Sequence, residues 1–154
     1  NHKNNHQLGK LLLLEDWDQL HHDLALCDEP LSKLVFSYRS SRTIEKPLRR
    51  LWVNALQSAI FNDGLAQRIM NETWNRPMSG DLICIHGARG RTFEATIEDV
   101  NSEEFQLRVK SIEISPTGPL WGRKMRKPSS KMLEKEQEIL YSFGLKESDG
   151  SGVV

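Results

Sequence analysis

The sequence predicts an α+β fold, in which a helical bundle is combined with a small, mostly antiparallel sheet. Apolar residues recur at helical spacing over residues 8–24 and 48–69, and the period changes to two near residue 82. Hydrophobic types make up 38% of the 154 residues, which is enough for one domain with a core. Lys and Arg total 21, as do Asp and Glu. This balance excludes a strongly basic, histone-like protein, so anion binding requires a local patch.

The first half of the chain is predicted to be helical. Residues 1–7 are polar and aperiodic, so we expect a disordered or truncated start before a domain over residues 8–145. One or two helices follow, with Asp16 as an N-cap, and end before Pro30. A longer helix has Pro47 in its first turn. Its predicted buried face consists of Leu48, Leu51, Trp52, Ala55, Leu56, Ala59 and Ile60 and continues through Leu65 and Ile69.

The second half predicts a hairpin, a strand and a final helix. Residues 81–86 and 92–96 pair across a turn at residues 87–90. Phe105, Leu107 and Val109 alternate as in a bulged strand that runs to Ile114, although a helix over residues 100–107 remains open. Two prolines and a glycine predict a loop at residues 115–119. The last helix, over residues 132–143, ends at Gly144. A disordered or truncated end is expected at residues 146–154.

The sequence contains no arrangement that identifies a catalytic or metal site. Cys84 and His86 are two residues apart, but no second pair has the spacing for zinc, so a buried thiol and an exposed imidazole are predicted. The turn at residues 87–90 lacks the Lys-Ser/Thr of a phosphate-binding loop. No apolar run approaches the ~18 residues that span a bilayer. With two cysteines, we expect reduced thiols and a cytoplasmic location.

Positive charge is concentrated in two segments. Residues 39–50 contain Arg39, Arg42, Lys46, Arg49 and Arg50 against one acid, Glu45, and residues 121–131 contain Arg123, Lys124, Arg126, Lys127 and Lys131 without an acid. Trp121 lies in the second segment, beside a rigid Pro/Gly loop, and stacking plus phosphate neutralisation would suit looped RNA. Alternatively, Trp121 fills a core and the cations form a solvated rim. The predicted RNA-binding residues are Arg49, Arg50, Trp121, Arg123, Lys124 and Arg126.

Several motifs resemble the tRNA pseudouridine synthase D (TruD) family. The segment Glu113-Ile-Ser-Pro-Thr-Gly-Pro-Leu-Trp-Gly122, followed by Arg123-Lys-Met-Arg126, carries the main resemblance. Leu51-Trp-Val-Asn-Ala-Leu-Gln-Ser-Ala-Ile-Phe-Asn62 with a downstream Arg is similar to a helix of that family, and Gly80-Asp81 is similar too. On this helix, Ser58, Phe61, Asn62 and Arg68 match family positions, and a buried face predicts structural roles for them.

The resemblance implies a part of an RNA-modifying enzyme. The family's catalytic aspartate, in a Gly-x-Lys-Asp segment, and its Asn-Tyr-Phe-Gly motif have no counterpart in this sequence. The chain therefore resembles the insertion domain of a synthase that isomerises uridine, uridine-13 of tRNA in the family, without cofactor or metal. The implied partners are tRNA and the missing catalytic domain. This chain is expected to be inactive alone and to clamp RNA while the uridine is flipped.

The sequence is also compatible with a second class of function, protein–protein interaction. Exposed Trp74 or Trp121 would also suit a stand-alone protein-interaction domain without RNA chemistry. Charge reversal at Arg123 and Lys124 separates the two hypotheses, because only RNA binding depends on those cations.

Overall fold

The described residues form two compact units. The computed structural model describes residues 4–26, 43–118, 121–122 and 126–152. The first unit comprises residues 1–59, 121–123 and 145–154, and the second comprises residues 60–120 and 124–144, so the domain predicted over residues 8–145 is divided between them. The α+β class is confirmed, since helices accompany one antiparallel sheet. None of the described helices is long and apolar enough to cross a membrane.

The first unit begins with two short helices, α1 (Asn5–Leu13) and α2 (Trp17–Ala25). Asp16 caps α2 as predicted, because its carboxylate accepts a hydrogen bond from the amide of Gln19 at 3.2 Å. α1 begins at Asn5, so the predicted loop or disorder is wrong for residues 5–7. A 3₁₀ helix over Glu147–Gly152 likewise occupies most of the predicted disordered end.

Aliphatic side chains of α1 and α2 build the core of the first unit together with Trp52. The buried residues are Leu8, Leu11, Leu12, Leu20, Leu24, Ile44, Trp52, Val53, Leu56, Trp121 and Leu145. Gly9 permits the closest approach, because a Cβ there would lie 2.2 Å from the carbonyl oxygen of Trp52. α1 therefore packs directly against the backbone of the long helix at this point.

The long predicted helix is confirmed as α3 (Lys46–Met70), with Pro47 in its first turn. Its buried row is Trp52, Leu56, Ile60 and Gly64. The prediction that Leu51, Leu65 and Ile69 also face the core is wrong, because they are 50%, 39% and 54% exposed. Leu51 and Leu65 are each one residue from the buried row, and one residue is about 100° of helix rotation. The apolar stripe in the sequence was wider than the face that packs.

The sheet of the second unit has the strand order β2-β1-β3, with β1 (Leu82–Ile85), β2 (Thr92–Glu94) and β3 (Ile114–Pro116). β1 and β2 form the predicted antiparallel hairpin. β3 overturns the prediction that residues 115–119 are all loop, because Ser115 and Pro116 pair with β1. Pro116 is compatible with the ladder because it ends an edge strand.

Two helices replace the strand predicted from the alternation of Phe105, Leu107 and Val109. They are α4 (Ile97–Asn101) and α5 (Glu103–Lys110). Their N-caps explain the correction: Thr96 Oγ1 accepts a hydrogen bond from the Asp99 amide, and Ser102 Oγ from the Phe105 amide. The period-two pattern was coincidental, since Phe105 is buried and Leu107 is exposed. The helical alternative was correct in type, although its bounds differ.

The second unit closes with α6 (Ser130–Ser142), which confirms the last predicted helix. Gly144 follows it with a φ of 69°, the left-handed conformation expected beyond a helix C-terminus. A core of Ile83, Ala95, Phe105 and Ile114 joins the sheet to α5. This core holds the β1–β2 hairpin in place.

Candidate nucleic-acid interface

The predicted RNA-binding cations occupy different parts of the chain. Arg49 and Arg50 lie near the start of α3 in the first unit, where Arg49 is half-buried and Arg50 exposed. Arg126 is exposed in the second unit. Arg123 and Lys124 lie outside the described residues. The shared surface predicted from the two basic segments therefore stays a prediction.

Trp121 is a core residue of the first unit. It is 2% exposed, and its indole ring lies 3.2–3.4 Å from the point that a Cβ on Gly150 would occupy. Its carbonyl oxygen accepts a hydrogen bond from Gln57 Nε2 at 2.7 Å. A buried ring has no free face on which a base can stack, so the prediction of Trp121 as an RNA contact is wrong. The alternative, a ring that fills a core, is what the structure shows.

Arg126 is held against the β1–β2 hairpin. Its Nη1 donates to the carbonyl oxygen of Thr92 and to Thr92 Oγ1, the latter at 3.0 Å. Nη2 and Nε of this side chain make no hydrogen bond within the described ranges. The guanidinium is therefore positioned by neutral acceptors and keeps its full positive charge beside β2.

Two arginines of the hairpin turn, Arg89 and Arg91, were missed by sequence reasoning. Both are exposed. The Arg91 amide donates to the Ala88 carbonyl at 3.2 Å, and the Ile85 amide donates to the Arg91 carbonyl at 3.1 Å, which closes the turn. The available signal was the segment Gly87-Ala-Arg-Gly-Arg91 itself. The glycines of this segment predict a turn, and its two arginines lie outside both basic segments.

The nearby acids do not cancel this positive charge through ion pairs. Glu113 pairs with Arg108 at 2.7 Å. Glu94 accepts a hydrogen bond from the hydroxyl of Ser129. In the described part of the chain, no carboxylate forms a salt bridge with Arg89, Arg91 or Arg126. This end of the hairpin is consequently a basic surface.

A second cluster of charges in the same unit is buried. Arg68 and Asp81 form a bidentate ion pair, with Nη1 to Oδ1 at 2.7 Å and Nη2 to Oδ2 at 2.9 Å. Their side chains are 13% and 3% exposed. Arg68 Nη2 also donates to the Thr73 carbonyl, and Asp81 accepts from the Met78 amide at 2.8 Å. These contacts hold the Arg68 guanidinium in place, and its predicted structural role stays a prediction.

Glu136 on α6 completes this buried cluster. Its pKa is raised to about 7, chiefly by burial and also by the Asp81 carboxylate, while Arg68 opposes the rise. Its Oε2 is buried and has no hydrogen-bond partner among the described residues. The carboxyl borders a cavity of about 240 Å³, whose lining includes Phe61, Trp74, Met78, Met132, Glu136 and Ile139. The arrangement is an acid of near-neutral pKa at a cavity lined by both apolar and polar side chains.

The remaining family-matched residues differ in their surroundings. Phe61 packs over Gly118, where a Cβ would lie 2.4 Å from its Cε2. Ser58 and Asn62 are exposed, so the prediction that a buried helix face gives them structural roles is wrong. His86 is exposed as predicted, and its Nε2 lies 2.9 Å from Ser115 Oγ. The described residues contain no group of three or more His, Cys, Asp and Glu placed to hold a metal ion.

A solved structure has the same fold. The crystal structure of a protein from Methanosarcina mazei, described as a tRNA pseudouridine synthase D (TruD), matches with a TM-score of 0.73 and 20% sequence identity. The match covers 95% of this chain and 44% of that one. The α+β architecture is therefore an established type of fold.

Sequence comparison then identifies the family. The family model for tRNA pseudouridine synthase D (TruD) matches residues 37–151. A tRNA pseudouridine synthase D of Thermus thermophilus is 35% identical over 102 residues, which are 66% of this chain and 27% of the relative. The one of Nitrosococcus oceani is 31% identical over 99 residues, 64% of this chain and 26% of the relative. This chain belongs to the tRNA pseudouridine synthase D (TruD) family. It spans about a quarter of the length of these relatives.

Proposed function

We propose that this chain is the RNA-clamping accessory domain of a tRNA pseudouridine synthase. The main support for this proposal is the family match over residues 37–151, combined with the finding that the chain covers about a quarter of each relative. The substrate is tRNA, and the catalytic domain of the same polypeptide supplies the reacting groups. The target is uridine-13, and the enzyme works in the cytoplasm.

The proposed role follows from the physical demands of the reaction. The glycosidic bond between C1′ and N1 of the uridine breaks, C1′ bonds to C5 of the same base, C5 loses its proton and N1 takes one up, so the isomerisation balances without a cofactor. The base must first leave its stack, which costs a few kcal/mol. Cations that bind backbone phosphates hold the RNA during that step. The proposal assigns such a contact to Arg126, and its support is that the exposed guanidinium is bonded to Thr92 of β2.

The proposal predicts that the 154-residue chain binds tRNA with strong salt dependence and forms no detectable pseudouridine. Each neutralised phosphate contributes a slope of about −0.7 to −0.9 to the logarithm of the binding constant against the logarithm of salt concentration. Fluorescence anisotropy between low and moderate salt measures this slope. A flat response contradicts the clamp, and pseudouridine formation by the chain alone contradicts the accessory role.

A protein-interaction domain is the second candidate, and one observation favours it. Ile69, Met70 and Trp74 of the second unit are all exposed, and neighbouring exposed apolar side chains are typical of protein contacts. The double charge reversal Arg123→Glu and Lys124→Glu separates the candidates. Loss of tRNA binding supports the clamp, whereas loss of a protein partner alone supports the second candidate.

A further inference from the structure

We propose that the tip of the β1–β2 hairpin is a phosphate-binding surface for consecutive nucleotides of an RNA strand. Its cations are Arg89, Arg91 and the guanidinium of Arg126, of which only Arg126 was expected from the sequence. The proposal rests on the proposed function, because the ligand is the backbone of the RNA that the chain clamps. It adds where on the second unit that backbone is held.

The three cations are close together along the hairpin. Arg126 Nη1 is bonded to Thr92, and Arg91 is the next residue along the strand. Consecutive Cα atoms are 3.8 Å apart, so the backbone from Arg89 to Thr92 spans at most about 11 Å. That distance is similar to the Debye length at 0.1 M salt, about 10 Å. The charges therefore repel one another, and a polyanion relieves that repulsion.

The surroundings leave this charge available to a ligand. The neighbouring carboxylate of Glu113 is engaged by Arg108. Glu94 is the nearest acid in sequence on β2, and its carboxylate is bonded to Ser129. Three cations against Glu94 leave a net positive tip. Arg89 and Arg91 are exposed and form no salt bridge with the residues that the structure describes, so they lose little when they exchange water for a phosphate oxygen.

The shape of the turn exposes these arginines. A Cβ on Gly87 or Gly90 would meet no atom within 4 Å, so the tip has open space around both positions. Arg89 has a φ of 48°. A non-glycine residue in this left-handed region is sterically strained. The turn thus carries a positive charge at a position where glycine would suit the backbone better.

The chemistry favours phosphates over bases as the ligand. The phenyl ring of β2, Phe93, makes an edge-to-face contact with Phe105 at a centroid distance of 6.3 Å. That ring is therefore committed to the core and is not a platform for base stacking. Arginines without an aromatic partner bind the backbone of RNA with little dependence on base sequence.

A matched pair of double variants tests the proposal on the 154-residue chain. Arg89→Gln with Arg91→Gln removes two charges from the tip, and Arg76→Gln with Lys146→Gln removes two exposed charges elsewhere. The tip variant is expected to bind tRNA about tenfold more weakly at 0.1 M salt, with a salt slope reduced by about 1 to 2. The control variant is expected to change affinity less than about twofold.

The outcomes distinguish this proposal from the one it rests on. If the unmodified chain binds tRNA and both double variants bind equally well, the hairpin surface is overturned while the clamp stands. If the unmodified chain does not bind tRNA at low salt, both proposals are overturned.

A single variant separates binding from folding. Arg89→Gly removes the charge and relieves the left-handed backbone, because glycine adopts a φ of 48° without strain. We expect a melting temperature equal to or above that of the unmodified chain together with weaker tRNA binding. Unchanged affinity in this variant would overturn the assignment of Arg89 as a phosphate contact.

Discussion

Arg68 and the hairpin arginines belong to the same unit but use the same side chain in opposite ways. Arg68 is mostly buried, with its side chain 13% exposed, and its fork is occupied by Asp81 and the Thr73 carbonyl. Arg89 and Arg91 are exposed and form no salt bridge within the described residues. The ion pair fixes the first guanidinium within the unit, whereas exposure leaves the others accessible to the RNA phosphates proposed as their ligand. The comparison shows that environment, rather than residue type, decides what an arginine does.

The strongest test of the buried side of this comparison is Asp81→Ala. Without Asp81, Arg68 loses its bidentate ion pair and is left beside the Glu136 carboxyl, and the Met78 amide loses its acceptor. We expect the free energy of unfolding to fall by about 3–5 kcal/mol, measured by urea denaturation. Asp18→Ala is the control, because Asp18 is exposed, and its effect should stay within about 0.5 kcal/mol. Equal losses of stability from the two substitutions would show that the Arg68–Asp81 ion pair contributes no more to folding than an exposed carboxylate does.

The variant Glu136→Gln tests how the charge next to Arg68 and Asp81 makes stability depend on pH. The pKa of Glu136 in the folded chain, about 7, is above its ordinary value of 4.5. The folded state therefore holds the proton more tightly than the unfolded state, and stability falls as pH rises from about 4.5 to 7. Solvent screening of this half-buried group reduces the expected loss to about 1–2 kcal/mol.

The glutamine variant cannot ionise, so it should lack this loss. Thermal unfolding at pH 5 and pH 8 measures the effect: the variant should match the unmodified chain at pH 5 and exceed it at pH 8. A variant that loses as much stability as the unmodified chain between these pH values would show that Glu136 does not carry the proton.

The smallest expected effect is on the exposed side. Arg91→Gln keeps the turn, because the hydrogen bonds of Arg91 are made by its backbone amide and carbonyl. The free energy of unfolding should change by less than about 0.5 kcal/mol, as measured by urea denaturation beside Asp81→Ala. A loss above about 1 kcal/mol would place Arg91 among the structural arginines and break the contrast.

Local signals predicted much of the fold. Asp16 marked the start of α2, Pro47 the start of α3 and Gly144 the end of α6, because caps and prolines act within one helical turn. The hairpin followed from period-two apolar residues around a glycine-rich turn. The strand predicted at Phe105 failed because its alternation competed with caps at Thr96 and Ser102, and the caps prevailed.

The candidate site was less accessible to sequence reasoning. Arg126 was found from charge density, and its anchor on Thr92 is 34 residues away in the chain. Arg89 and Arg91 join a cluster of positive charge only because Arg126 bonds to Thr92 beside them. Counting charges along short stretches of sequence therefore does not find this cluster. Trp121 is an aromatic residue next to several cations in the sequence, which is typical of an RNA contact. Packing in the first unit nevertheless buries its side chain.

Composition, apolar periodicity and capping residues were sufficient for the α+β class, for most helices and for the hairpin, because these features depend on neighbours within a few residues. Which side of α3 packs, which arginine is paired and which tryptophan is buried depend on residues distant in sequence. Asp81 and Glu136 approach Arg68 only after the chain folds. Burial and electrostatic pairing are properties of assembled surfaces, and the order of residues does not specify them locally.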